Sequence, residues 1–202
     1  MTIYYTHKYK QLNCSSHELL EAAIGDYTGN HERAAELVAS MKRDTSKDFD
    51  GKPYIDGFER FSISHSGSSW AVLIDERECG LDIQYERSCD YVLIARRFFH
   101  EEDAAIVGGE YSNGGDSEAD ARFEFFRIWT KREAFVKAIG SSVVYEGFPP
   151  MALHQSAEYD GRLYYIGNID MPDAVGLHAA ICIDAANDID EKLIYKEMYV
   201  KE

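Results

Sequence analysis

Phe126-Arg127-Ile128-Trp129-Thr130-Lys131-Arg132-Glu133-Ala134-Phe135-Val136-Lys137-Ala138-Ile139-Gly140 is the stretch on which the reading of this chain turns. Its apolar residues recur at helical spacing, and Phe126, Trp129, Glu133 and Lys137 fall at i, i+3, i+7 and i+11, on one stripe of a helix. The aromatic half of that stripe must be buried, and it draws Glu133 and Lys137 inward with it. One reading of the charged pair is an ordinary i,i+4 ion pair worth ~0.2–0.5 kcal/mol. The other is a functional site, which charge continuing an aromatic stripe favours. The pattern predicts a helix over 121–139, closed by Gly140.

Working outward, the rest of the chain alternates helices with hairpin-like strands. Helices are predicted over 16–24, with Ser16 as N-cap and Gly25 as the stop, and over 31–42, 90–99 and 101–107. Strands are predicted over 3–6, 58–64, 70–75, 81–84, 163–166, 176–183 and 193–199. This mixture predicts an α+β fold rather than a parallel doubly wound sheet. A break near residue 80 divides the chain into 1–80 and 81–202. The stretches 44–53 and 108–120 are rich in turn residues and read as loops.

Upstream of the helix lie two further candidate segments. In Phe61-Ser62-Ile63-Ser64-His65-Ser66-Gly67, small hydroxyl residues and a glycine allow close approach of a phosphate; a polar turn with a surface histidine is the plainer alternative. In Gly80-Leu81-Asp82-Ile83-Gln84, alternation along a strand puts Asp82 and Gln84 on one face and Leu81 and Ile83 on the other. Two oxygen donors side by side suit a hard cation such as Mg²⁺, and an amphipathic edge strand is the alternative.

Composition narrows the class. The chain has 202 residues, 21 Lys+Arg and 36 Asp+Glu, a net charge of −15, with 45% hydrophobic and 28% charged residues. These are globular proportions. The longest apolar runs are about five residues, far short of the ~20 needed for a membrane span, and residues 1–11 lack the apolar core of a secretory signal. Four dispersed cysteines, Cys14, Cys79, Cys89 and Cys182, form no CxxC pair, which predicts a reducing, cytoplasmic setting. The acidic balance predicts no general nucleic-acid binding, while leaving room for a local basic pocket.

Taken in order, these elements resemble the 4′-phosphopantetheinyl transferases of the surfactin-synthetase-activating type. That family carries a Gly-Lys-Pro element, a Ser-His-Ser-Gly element, Gly-x-Asp-x-Glu and Trp-x-x-Lys-Glu-x-x-x-Lys. Here they stand as Gly51-Lys52-Pro53, Ser64-His65-Ser66-Gly67, Gly80-Leu81-Asp82-Ile83-Gln84 and Trp129 through Lys137. Arg96-Arg97-Phe98-Phe99 is similar to the family's Arg-Phe-Phe stretch. The resemblance spans residues 51–140. It departs from the family at Gln84, where a glutamate is usual.

The resemblance implies transfer of the phosphopantetheine arm of coenzyme A to a serine of an acyl, peptidyl or aryl carrier protein, with release of adenosine 3′,5′-bisphosphate. It implies Mg²⁺ held by Asp82, Gln84 and Glu133, with Glu133 or a water on the metal as base and Lys137 at the pyrophosphate. It implies Ser64 and His65 at a phosphate of coenzyme A, Lys52 at its nucleotide end, and Arg33 or Arg43 as the family's early arginine. It further implies two similar halves about a pseudo-twofold axis, coenzyme A between them, and a monomer. Because the chain is acidic, a carrier is expected to dock by short-range contacts, on the helix at 90–99 and the loop after it. Two other readings remain: a non-catalytic homologue that only binds coenzyme A or a carrier, which Gln84 keeps open, and an unrelated Mg²⁺-dependent phosphohydrolase.

Overall fold

The computed structural model describes residues 1–44, 51–110, 118–141, 148–185 and 192–198. The chain begins with β1 (Thr2–Thr6), α1 (Ser16–Thr28), α2 (His31–Ala39), β2 (Lys42–Arg43) and β3 (Pro53–Tyr54), followed by β4 (Arg60–Ser66) and β5 (Ser69–Asp75). It continues through β6 (Cys79–Tyr85), α3 (Tyr91–Phe98), α4 (Glu101–Val107), α5 (Glu118–Ile139), β7 (Ser156–Tyr159), β8 (Arg162–Ile169), β9 (Leu177–Asp184) and β10 (Ile194–Glu197). The α+β class read from the alternation is the class observed.

Two four-stranded sheets, β10-β1-β5-β4 and β6-β9-β8-β7, carry most of the strands. Their connectivity repeats. In each, a first strand leads through helices into a hairpin whose last strand returns antiparallel beside the first: β5 beside β1, and β9 beside β6. The first sheet also takes a strand from the far end of the chain, since β10 pairs parallel with β1.

Burial explains the layering. Alternate residues of the first sheet, Tyr4, Phe61, Val72 and Ile74, meet Leu19, Leu20 and Ile24 of α1. The opposite face, Ile3, Tyr5, Ala71 and Leu73, packs on Leu81, Ile83, Ala179 and Ile181 of the second sheet. The outer face of the second sheet, with Ile166, Ala180 and Cys182, receives Phe126, Ala134, Phe135 and Ala138 of α5. Strand β5 is buried on both faces, which is why its sequence is a continuous apolar run rather than an alternation.

The edge strands β4 and β6 meet through side chains. The N–H groups of Leu81, Ile83 and Tyr85 donate to the hydroxyl oxygens of Ser62, Ser64 and Ser66 at 2.9, 3.2 and 2.9 Å. A row of hydroxyls thus does for β6 what a carbonyl row does in a backbone ladder.

Several local readings need correction. The N-cap of α1 is Ser15, whose hydroxyl accepts from the Glu18 N–H while Glu18 accepts from the Ser15 N–H, a complete capping box. Gly25 lies inside that helix; a Cβ there would stand 2.2 Å from His31 Nδ1, so the glycine admits α2, and left-handed Gly29 ends the helix instead. Helix α2 stops at Ala39 because Lys42 and Arg43 are drawn into pairing with Tyr54 and Pro53. Strand β4 runs past residue 64 to Ser66, so His65 lies in the strand and Gly67, at φ +56°, makes the hairpin turn. Strand β7, with only Ala157 buried, has no alternation to reveal it.

Candidate active site

Helix α5 crosses the second sheet at Gly80. A Cβ at that position would lie 1.9 Å from the Ala134 carbonyl oxygen and 2.7 Å from the Ala138 nitrogen. The missing side chain brings the stripe of Glu133 and Lys137 down onto the face of β6 that carries Asp82 and Gln84. The sequence-predicted stripe is observed: Phe126 is buried, and Trp129, Glu133 and Lys137 are half-buried.

Lys137 Nζ donates to Asp82 Oδ1 at 2.7 Å, to Ser64 Oγ at 3.0 Å and to the Leu81 carbonyl at 3.1 Å. Ser64 donates to the same Asp82 oxygen at 2.9 Å. The partner of Lys137 is therefore Asp82 on the strand, not Glu133 on its own helix. Burial first, and then the nearby charge of Asp82, push the Glu133 carboxyl up to about 7. Asp82 and Glu133 thus interact electrostatically, with the Lys137 ammonium bonded to Asp82.

Gln84 turns its amide nitrogen to Ser66 Oγ at 3.1 Å and to its neighbour's Tyr85 carbonyl at 3.0 Å. A carbonyl can only accept, so this contact fixes which end of the amide is nitrogen. Among the described residues no cluster of three His, Cys, Asp or Glu side chains could hold a metal ion; the third oxygen donor on this face is the Gln84 amide. Two carboxylates and an amide oxygen are hard donors, a set whose chemistry would suit a cation such as Mg²⁺.

The other sequence-predicted residues divide. Lys52 Nζ donates to Glu78 Oε2 at 2.8 Å, to the Cys79 carbonyl at 2.8 Å and to the Ala138 carbonyl at 3.3 Å. Its ammonium has three protons, and each has an acceptor in the seam between β6 and the last turn of α5. Arg43 lies on β2 and lines a cavity of about 380 Å³ together with Lys52, Glu133 and Lys137. Arg33 is exposed on α2 and does not line that cavity. His65 is exposed and stands against the ring of Tyr9, 5.8 Å between centroids. Strand alternation turns it to the face opposite Ser64, so the two do not converge on one point. Most of the glycine-rich loop, residues 111–117, and residues 45–50 of the first loop lie outside the described residues.

Several buried polar residues escaped the sequence reading. Lys131 Nζ donates to the Met151 and His154 carbonyls at 2.5 and 2.7 Å, and burial lowers its pKa to about 8. Asp103 of α4, fully buried, accepts from the Met151 and Ala152 N–H groups at 2.8 Å each. The Arg132 guanidinium lies 3.8 Å over the Phe148 ring and 5.2 Å from Phe99. Together they clamp the segment after α5 and fix the rotation of that helix. Their signal in the sequence was weak because charged residues on a helix normally face water.

No described helix is long and apolar enough to cross a membrane. Residues 78–173, a little under half of the chain, match the family described as the 4′-phosphopantetheinyl transferase superfamily. The chain is 33% identical over 93 residues to 4′-phosphopantetheinyl transferase gsp of Aneurinibacillus migulanus, covering 46% of this chain and 36% of that protein. It is 29% identical over 125 residues to a 4′-phosphopantetheinyl transferase of Bacillus subtilis, covering 61% and 50%. It is 36% identical over 85 residues to 4′-phosphopantetheinyl transferase AcpT of Escherichia coli K12, covering 41% and 40%. The match thus spans half or less of the length of each of these relatives.

Proposed function

On the strength of that family match, we propose that this chain transfers the 4′-phosphopantetheine arm of coenzyme A to a serine hydroxyl of an apo carrier protein, with Mg²⁺, releasing adenosine 3′,5′-bisphosphate. The observation that carries the reading is the meeting of Asp82, Glu133 and Lys137 beside the cavity between β3, β4 and α5. In this proposal residues 1–80 form the coenzyme A side, and residues 81–202 supply the cation site and the carrier side. The enzyme acts as a cytoplasmic monomer.

In the reaction a bond forms between the serine oxygen and the β-phosphorus of coenzyme A. The bond from that phosphorus to the bridging oxygen breaks, and the electron pair leaves with the bisphosphate. When bound, Mg²⁺ supplies charge neutralisation on the pyrophosphate and fixes it for in-line attack. Glu133, the buried carboxyl beside Asp82 and Lys137, accepts the serine proton directly or through a water. Lys137 has its ammonium already in the site, held by Asp82, Ser64 and Leu81, and compensates the charge that develops as the bisphosphate departs. Asp82 and Gln84 present oxygens on the strand face. Arg43, exposed at the cavity, contributes the basic contact for the nucleotide end.

Helix α3 supports the placing of the carrier. It exposes Leu93 and Phe98 beside Arg96 and Arg97, an apolar and basic face suited to an acidic partner. That short-range attraction must offset the repulsion expected from a net charge of −15.

The test is intact-mass spectrometry of an apo carrier protein incubated with this protein, coenzyme A and Mg²⁺. A gain of one phosphopantetheine arm, abolished by EDTA and by Glu133→Ala, is the expected result. A second reading, a coenzyme A-binding homologue without turnover, draws on the amide at position 84; binding without mass gain across acyl, peptidyl and aryl carriers would select it.

A further inference from the structure

The resemblance places Ser64 at a phosphate of coenzyme A, and its surroundings give it other work. Its hydroxyl oxygen accepts from the Ile83 N–H at 3.2 Å and from Lys137 Nζ at 3.0 Å. With both lone pairs taken, its own proton goes to Asp82 Oδ1 at 2.9 Å. The residue is buried, 5% exposed. Asp82 Oδ1 therefore receives two hydrogen bonds, from Ser64 and Lys137, and no described residue bonds to Oδ2.

We propose that Ser64 is a positioning residue, whose hydroxyl commits one oxygen of Asp82 to the protein and leaves the other for the cation, while holding the Lys137 ammonium beside it. This rests on the transferase reading of the site. The hydroxyl row provides an internal control. Ser62 does the same service for the backbone of β6, accepting from Leu81 N–H at 2.9 Å, and among the described residues no hydrogen bond links it to a carboxylate. Removing either hydroxyl orphans one β6 N–H, a like structural cost. Removing Ser64 also takes away one of the two hydrogen bonds on Asp82 Oδ1 and one of the acceptors that place the Lys137 ammonium, which loosens the carboxylate's orientation. Partners that orient metal ligands are typically worth ~10–100-fold in metal affinity.

The experiment measures Mn²⁺ binding by electron paramagnetic resonance, with saturating coenzyme A, for the wild type and for Ser64→Ala, Ser64→Thr and Ser62→Ala. Binding of adenosine 3′,5′-bisphosphate without metal is measured in parallel. Ser64→Ala is expected to weaken Mn²⁺ binding about tenfold or more and to leave bisphosphate affinity within about threefold. Ser64→Thr, which keeps the hydroxyl on a strand-compatible side chain, restores Mn²⁺ affinity to within about threefold, and Ser62→Ala leaves it there. Equal Mn²⁺ losses in Ser64→Ala and Ser62→Ala overturn the proposal, since the effect is then general loosening of β6. Unchanged Mn²⁺ binding with lost bisphosphate affinity also overturns it and makes Ser64 a phosphate contact. Either pattern in the variants, with a wild type that transfers phosphopantetheine, sinks the positioning role alone. A wild type that binds no Mn²⁺ and modifies no carrier sinks the transferase reading with it.

Discussion

Gly80 and Ala134 stand so close that a methyl group on the glycine would lie 1.9 Å from the helix carbonyl. That approach sets the depth at which α5 lies on β6, and hence the reach from Lys137 to Asp82. Gly80→Ala must push the helix away from the strand. Overpacking of this kind costs ~1–3 kcal/mol, and a shift of about 1 Å in a reacting group costs ~100-fold in rate. Thermal unfolding should show the first and carrier modification rates the second. A variant with wild-type rate would mean that the helix can slide without consequence.

Glu133 makes stability fall with rising pH. Its carboxyl is at about 7 in the folded protein against the usual 4.5, so between those values the native state holds the extra proton. Stability is lost as pH rises through that window, and the full penalty is present above 7. In EDTA, Glu133→Gln should therefore be more stable than the wild type at pH 8, by roughly 2 kcal/mol, and indistinguishable from it at pH 4. Denaturant melts at the two pH values provide the comparison. An equal difference at both would place the effect outside the titration of this group.

Lys137→Met removes an ammonium with three acceptors. Carrier modification should drop at least ~100-fold, the scale of a lost transition-state electrostatic contact. The variant should still fold, since the lysine is half-buried and its aliphatic stem is replaced by another. A fall in kcat/KM for coenzyme A below about fivefold, measured by steady-state kinetics, would remove Lys137 from the reaction.

Gln84→Glu exchanges an amide for a charge. The gain is a third carboxylate near the cation, which should lower the Mg²⁺ concentration for half-maximal activity. The loss is local: a carboxylate oxygen would face the Tyr85 carbonyl where the amide nitrogen now donates, at a cost of about 1–3 kcal/mol in stability. Mg²⁺ titrations and thermal melts read the two effects separately. An unchanged or raised Mg²⁺ requirement would mean that residue 84 does not face the metal.

Lys131→Met leaves the Met151 and His154 carbonyls without their donor and removes one of the positive charges that interact with buried Asp103. The expected destabilisation is ~3 kcal/mol, seen as a lower midpoint in urea. A neutral result would show that the clamp on the segment after α5 does not depend on its charge.

The two elements that make the site were legible because each obeys a simple period. Asp82 and Gln84 alternate with buried Leu81 and Ile83, and Glu133 with Lys137 extends an aromatic stripe. Period alone also separated His65 from Ser64, once the strand was known to continue to Ser66. Lys52 was beyond such reasoning: its acceptors come from Glu78, Cys79 and Ala138, which meet only when both sheets are in place. Asp103, Lys131 and Arg132 were hidden for a related cause. A charged residue looks solvent-facing until the distant carbonyl, amide or ring that satisfies it is known.

Strand β10 gives the protein a particular order of assembly during synthesis. Strands β1, β5 and β4 are made early, but the outer edge of β1 pairs with residues 194–197. Until those residues leave the ribosome, β1 offers a row of unpaired amides and carbonyls to any passing strand. At ~5–20 residues per second this edge stays open for some seconds. The half that is translated first is thus the half that is sealed last, and a nascent chain stalled before residue 194 would expose an adhesive edge that the finished molecule hides.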